Sequence, residues 1–428
     1  MNATVAQHSR IAVVGAGIAG LASAWLLSRQ HHVTLFEAGS RLGGHTNTVD
    51  VTLEGHTHPV DTGFLVFNDH TYPNLIALFD ELGIGSHASD MSFGVSVDDG
   101  RLEWAGSSLR TVFAQHRNLV SPGFWRMLGD ILRFNRLAEN RLLATAGTDQ
   151  TLATLLQRDG YGQRFADDYL LPMAGAIWSS STRDILQFPA ETFLRFCLNH
   201  GLLRLSNRPQ WRTVAGGGRE YVRRLAAAVA DIRLDTPVWS VTRHAHGVQL
   251  HTDAGNEQFD AVVLATHAPQ TLRMLADASE RERAVLASVR YQPNTALLHT
   301  DATLLPKRRS VWSAWNYLGD VDAGQGRTTS VSYLINRLQP LPFDTPVIVT
   351  LNPTRWPAES KLLARFEYEH PLLDTAAIAA QQMLPALQGQ RRTWFAGAWT
   401  GYGFHEDGLK SALRVAADFD LLPPWAKL

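Results

Sequence analysis

The sequence predicts an α/β protein: one parallel-sheet domain assembled from three separate stretches of chain, with an α+β domain inserted between them. Three observations carry that expectation. A β-branched run, a glycine-rich turn and an apolar helical stretch follow one another near the N-terminus. A second strand, glycine-rich turn and helix, "TWFAGAWTGYGFHEDGLKSALRVAADF", closes the chain. Between them lie long segments whose apolar spacing is at first helical and later alternating.

The first stretch, residues 10–48, is "RIAVVGAGIAGLASAWLLSRQHHVTLFEAGSRLGGHTNT". It has no charge from Ile11 to Leu27, which is close to the length of a bilayer span. Yet Gly15, Gly17 and Gly20 interrupt the run and a new strand pattern follows at once, unlike a span or a secretory leader. The strand "RIAVVG" leads into "GAGIAG", with glycines in G-x-G-x-x-G spacing. The first glycine allows a tight turn, the second lets backbone approach a pyrophosphate, and the third lets helix pack on strand. Ile18 and Ala19 open the helix, whose N-terminus carries partial positive charge toward the phosphates. A second strand ends at Glu37 and Ala38, and Glu37 stands 22 residues after Gly15, about where an acid binds a ribose hydroxyl pair. Strand, motif, helix, strand and acid in register make a Rossmann-type dinucleotide cradle.

The residues after Glu37 narrow the choice of dinucleotide. Arg41, Gly43, Gly44 and His45 follow in "EAGSRLGGHTNT". This resembles the E-x-x-x-R-x-G-G extension of the FAD-binding superfamily that contains amine oxidases, protoporphyrinogen oxidases and phytoene-type desaturases. The resemblance implies FAD rather than NAD. It also implies a glutathione-reductase-like FAD-binding Rossmann domain with an inserted α+β substrate domain, the two-domain architecture of amine oxidases. In that family the arginine and the paired glycines help to hold the diphosphate.

The resemblance continues at the C-terminus, where an F-A-G strand reaches Gly397 and a helix is expected from about Asp407. It places Gly397, Asp407, Gly408 and Leu409 beside the flavin or its ribityl chain, with the helix N-terminus facing the ring. In the middle, residues 234–269 read as two strands, a "DAG" turn and a third strand ending in "VVLATHAP". The family sets a valine like Val238 against the adenine and a loop like that from Ala265 and Thr266 to Pro269 near the cofactor. Gly216 to Gly218 begin a helix just before. The FAD domain is therefore expected from 1–75, 205–272 and 388–428. No second fingerprint follows a strand, so no separate NAD(P)H domain is expected, and oxygen, a quinone or another carrier is left as electron acceptor.

Residues 76–204 are expected to form a helical insertion and 273–387 an antiparallel-sheet insertion, together the substrate domain. In 122–143 a proline start precedes Phe124, Leu128, Ile131, Leu132 and Phe134 near one face, with Arg126, Arg133, Arg136 and Arg141 mostly off it. Such a basic amphipathic helix suits either a lipid interface or ordinary packing on the insertion. In the second insertion Trp312, Trp315, Tyr317 and Tyr333 either line a pocket or form sheet core. "LLPMAGAIWSSS", residues 170–181, offers Gly175 and Trp178 as small-residue and aromatic neighbours of the ring.

A flavin that oxidises a C–H bond needs orientation and sometimes a proton acceptor from the protein. "GYGFHEDG" supplies the candidates Tyr402, His405 and Glu406. His405 is expected in the turn before the last helix, where it either takes a proton or only bonds the turn; the acids either assist or cap the helix. The four lysines, Lys307, Lys361, Lys410 and Lys427, sit poorly for the flavin-side lysine of many amine oxidases. From "VVGAGIAGLASAW" to "GFHEDGLKSALRVA" the chain resembles bacterial amine-oxidase-like flavoproteins, whose relatives include desaturases of methylated fatty acyl chains. That resemblance implies a lipid substrate. The rivals are an amine or protoporphyrinogen-type oxidase, a redox-neutral flavin-dependent isomerase and a non-catalytic FAD-binding protein.

Composition sets the remaining bounds. A formal net charge of -1 over 428 residues gives no footprint for nucleic acid, and no metal-ligand spacing stands out. The single Cys197 rules out an internal disulfide and fits a reducing compartment. The expectation is a cytoplasmic protein, free or resting on the inner face of the membrane.

Overall fold

The computed structural model of the chain describes residues 6–178, 182–204, 208–319, 321–322, 326–327 and 330–428. Five parallel strands build the first sheet, in the order Asp231–Arg233, His32–Phe36, Arg10–Val14, Ala261–Leu264 and Thr393–Phe395. Val13 pairs with Leu35 on one side and Val263 on the other, so the central strand is apolar on both faces. Three distant stretches must therefore meet before this sheet exists.

Helix Ile18–Leu27 lies in this domain with every residue buried, against the last helix, His405–Ala417, and against Arg219–Ala226. A helix that is apolar all round is one that is buried all round, which accounts for the uncharged run. Among the described residues no helix is long and apolar enough to cross a membrane. The expected third strand of 234–269 is divided in two, Gly255–Phe259 and Ala261–Leu264. Asp260 stands at the break and its carboxylate accepts from the Arg10 N–H at 2.7 Å. There the chain leaves an antiparallel three-stranded sheet, Ser240–His244, Gly247–Thr252 and Gly255–Phe259, and enters the parallel one.

The second large sheet has seven strands, ordered Leu362–Pro371, Tyr291–His299, Ile348–Leu351, Ser330–Leu334, Trp315–Gly319, Phe93–Val97 and Leu102–Ala105. Its last two strands come from the stretch expected to be helical. "FGVSV" and "LEWA" are β-branched and aromatic runs either side of an Asp-Asp-Gly turn, a hairpin signal that the helical pattern further on outweighs in a long window. The division at residue 75 also falls inside a helix, Pro73–Leu82, whose Leu75, Leu78 and Phe79 join the core of the parallel-sheet domain.

Helix Pro122–Thr145 forms as read, with Pro122 in its first turn and the Ser121 hydroxyl accepting from the Phe124 N–H. Its arrangement differs from the expectation: Leu132 is exposed, whereas Arg141 is buried and ion-paired with Asp159. Phe124, Met127, Ile131 and Phe134 pack into the helical insertion. Of the four aromatic residues read as either pocket lining or sheet core, Trp315 and Tyr333 meet edge-on at 4.8 Å in one apolar layer. Tyr317 is fully buried in the helical cluster, and Trp312 donates its Nε1–H to the Pro306 carbonyl. Trp178 is enclosed by Phe188, Phe193 and Phe196, and residues 179–181 of the small-residue stretch lie outside the described ones.

Candidate FAD site

The fingerprint glycines are explained by what a side chain would strike. A Cβ on Gly20 would come within 1.8 Å of the Gly15 carbonyl oxygen, and one on Gly15 within 2.8 Å of the Ala265 oxygen. Gly15 also has φ +99°, a conformation only glycine adopts without strain. Gly17 differs: a Cβ there would meet nothing within 4 Å, so the space beside it is open. Helix Ile18–Leu27 starts at Gly17 with no side-chain cap and no acid in its first turn. Its leading N–H groups are thus left for an anion, the condition a pyrophosphate needs. Ala19 is buried behind them.

The second half of the cradle closes over this space. Arg41 donates to the Thr46 carbonyl at 3.0 Å and the Gly44 carbonyl at 2.8 Å, fixing the loop that follows the second strand. The Gly43 N–H donates to the Ala16 carbonyl, and Gly44 faces Gly17 so closely that a Cβ would lie 3.0 Å from its Cα. Glu37 accepts from the Ala16 N–H at 2.8 Å and from the Gly39 N–H at 2.9 Å, which aims its carboxylate at the rim; Ala38 is exposed beside it. The Ala265 N–H donates to Val14, and the Thr266 carbonyl accepts from the Trp399 indole. Val238 is buried in a core shared with Val14 and Phe36. Gly397 donates its N–H to Ser411 Oγ, while Gly408 and Leu409 pack the last helix against Ile18 and the core of the parallel-sheet domain. The space beside Gly17, the uncapped helix end and the Glu37 carboxylate held at the first turn fit an FAD adenosine diphosphate. When bound, FAD supplies a two-electron acceptor.

The candidates near the ring fare differently. Helix His405–Ala417 begins two residues earlier than expected, so His405 is in its first turn rather than the loop before it. The imidazole is buried, stacked on Phe64 at 3.6 Å, with Nε2 within 2.8 Å of Thr46 Oγ1 and 3.1 Å of Tyr221 Oη. Burial pushes it down to about 3, so it stays neutral and its ring nitrogen is already engaged. The stack and the two hydroxyl partners hold the ring in place within the first turn of the helix. Glu406 is a cap: its two oxygens accept from the Asn74 and Leu75 N–H groups and from Asn74 Nδ2, at the start of helix Pro73–Leu82. Asp407 accepts from the Phe404 N–H at 3.0 Å and caps its own helix; burial raises it to about 7. Tyr402, the third candidate, is half-buried with its ring against Phe196.

Several residues were not foreseen. Gly63, in "DTGF", passes so close to His45 that a Cβ would sit 2.1 Å from the His45 carbonyl oxygen. His45 Nε2 and His370 Nε2 are 3.3 Å apart, and Asn294 Nδ2 lies 3.2 Å from His370 Nδ1. An amide NH2 only donates, so His370 Nδ1 accepts and its Nε2–H donates to His45. Burial holds His45 well down and His370 at about 4, so both are neutral. His370 and Tyr368 come from the second sheet, which no motif near the cradle announces. Two polar clefts, of about 510 and 330 Å³, open elsewhere around Asp99 and Gly100, and neither contains a cradle residue.

Comparison with known proteins agrees with this geometry. The family of flavin-containing amine oxidoreductases matches residues 18–308. A chain from two strains of Mycobacterium tuberculosis, named as a flavin-containing monoamine oxidase, AofH, is 29% identical over 272 residues, covering 60% of this chain and 56% of that one. The chain thus spans little more than half the length of these curated relatives. A fatty acid isomerase from P. acnes superposes with TM-score 0.68 at 16% identity, over 97% of this chain and 99% of that one. A putrescine oxidase bound to putrescine gives 0.65 at 17%, over 96% and 99%. The family match over more than half of the chain makes it a member of the flavin-containing amine oxidoreductases, with FAD as cofactor.

Proposed function

We propose that the enzyme oxidises an apolar substrate, a methylated or otherwise modified fatty acyl chain of membrane lipid, and not an amine. The observation that carries this reading is the layer between the second sheet and the cofactor loops. Leu65, Val66, Phe93, Trp315, Tyr333 and Tyr368 belong to one apolar cluster, and Leu65 and Val66 directly continue the Gly63–Phe64 turn against His45 and His405. An ammonium would need an opposing carboxylate there. The buried carboxylates around it are taken, Asp61 by Thr48, the Gly218 N–H and Gln339, and Glu406 by Asn74 and the Leu75 N–H. The lysines stand elsewhere, with Lys307 paired to Asp99 and Lys361 to Asp301. A chain of methylenes gains affinity from such a wall at roughly 0.8 kcal/mol per buried CH2. The walls exclude water and hold the reacting carbon, and the neutral, mutually hydrogen-bonded His45–His370 pair adds no charge to that apolar setting.

A redox-neutral acyl isomerase is the second reading, favoured by the likeness to the P. acnes isomerase. The test is anaerobic flavin bleaching by extracted membrane lipids, run beside a panel of polyamines and aromatic amines. Bleaching by the lipids supports oxidation. Peroxide release with amines alone overturns the proposal, and turnover only after prior reduction, with no acceptor consumed, selects the isomerase.

A further inference from the structure

Helix Pro122–Thr145 carries two apolar stripes. Phe124, Met127, Ile131, Phe134 and Ala138 are buried in the insertion. On the opposite side stand Trp125, Leu132 and Leu143, spaced by 7 and 11 residues. At about 100° per residue those spacings return within roughly 20° of one bearing, so the three form a line along the outer face. The line continues onto the preceding turns. The Trp125 Nε1–H donates to the Leu119 carbonyl at 2.9 Å, and its ring meets Phe113, one turn after Leu109, at 5.2 Å. Leu109, Leu119, Val120, Trp125, Leu132 and Leu143 are between 50% and 82% exposed. Six of the thirteen exposed large hydrophobics among the described residues thus fall within 109–143, which marks a patch rather than scattered residues.

Its border is basic. Arg110, Arg117, Arg126 and Arg136 are exposed, and Glu139 is the one exposed acid between 109 and 143. Arg133 and Arg141 are tied to Asp130 and Asp159, whereas Arg110, Arg126 and Arg136 have no ion pair among the described residues. A second copy of the chain would bring these guanidiniums against one another. An apolar line with an arginine border matches a bilayer interface bearing anionic headgroups.

We propose that this outer face docks the enzyme on an anionic lipid surface, with Leu119, Val120 and Trp125 entering the interface and the arginines meeting phosphates. The inference deepens the acyl-chain reading and rests on it for its purpose, but binding is measured without turnover, so each can fail alone. The FAD-loaded protein is sedimented with phosphatidylcholine vesicles with and without phosphatidylglycerol. Binding is expected on the anionic vesicles and weak on the neutral ones. Arg126→Glu with Arg136→Glu should lower the partition coefficient at least ~30-fold at low salt, at about fivefold per lost arginine. Val120→Ser with Trp125→Gln should lower it ~10-fold or more, with flavin absorbance unchanged. Equal binding to both vesicle types, no sedimentation, or a Trp125-dependent dimer by sedimentation velocity would overturn it. Vesicle binding with neither flavin bleaching by lipids nor turnover of lipids after prior reduction would sink the acyl substrate and leave the docking face standing.

Discussion

His405 offers a direct contrast between a base and a structural ring. Replacing it with Ala removes the stack on Phe64, worth about 1 kcal/mol, and one net hydrogen bond, about another. Only one bond is lost, because Thr46 Oγ1 and Tyr221 Oη still bond each other. The unfilled space adds roughly 1–2 kcal/mol, so the total is about 3 kcal/mol, which over a chain of 428 residues lowers the thermal midpoint by roughly 3 °C. Gln at this position can keep a donor near the two hydroxyls and should recover much of that loss. The assay pairs thermal unfolding with turnover across pH on the substrate that bleaches the flavin. His405→Gln should retain turnover within about tenfold and keep the shape of the pH profile. A loss of ~10²-fold or more at an unchanged midpoint, with one limb of the profile gone, would show that the imidazole takes the proton after all.

Three further outcomes follow from the same geometry. Gly63→Ala and Gly20→Ala, whose added methyls would strike backbone carbonyls at 2.1 and 1.8 Å, should each purify colourless or regain FAD only weakly; a yellow variant of wild-type affinity contradicts the packing. Asp61 is buried and raised to about 6, so the folded state holds a proton that the unfolded chain releases near 3.8. Its contribution is therefore full below about pH 4 and lost as pH rises through 6, and the stability of Asp61→Asn relative to wild type should climb by about 3 kcal/mol over that window in denaturant titrations; a flat difference refutes the assignment. Arg243, buried between Asp277 and Glu282, ties the three-stranded sheet to the helix Glu280–Ala287. Arg243→Leu should cost about 3–5 kcal/mol in chemical unfolding, since it strands a buried carboxylate, and a loss below 1 kcal/mol would show the pair to be solvated.

Much of the cofactor domain was legible because its signals are local. Gly15, Gly17, Gly20, Glu37, Arg41, Gly43 and Gly44 act through turns and spacings within 30 residues, and the structure packs Gly15, Gly20, Gly43 and Gly44 against neighbouring backbone while leaving the space beside Gly17 open. Boundaries were less legible. The hairpin Phe93–Ala105 belongs to the second sheet through strand Trp315–Gly319, a partner more than 200 residues away. The early start of the last helix moved His405 from a loop into a buried stack, because Phe64 and Tyr221, which enclose it, come from two other segments. The same distance hid Glu406's role as cap for Pro73–Leu82.

By itself the amino-acid order determined the glycine-rich turns, the apolar strands that flank them and the acid that follows, since each depends on neighbours a few residues apart. It therefore determined the cradle and the cofactor class. The tertiary structure alone decided which titratable groups are free and which are consumed. Whether a histidine or glutamate acts as a base or a cap depends on the partners and the dielectric around it, and those are supplied by chain segments hundreds of residues away. It also decided which of two apolar stripes on one helix is core and which faces outward, because periodicity yields the stripes but only packing selects the side.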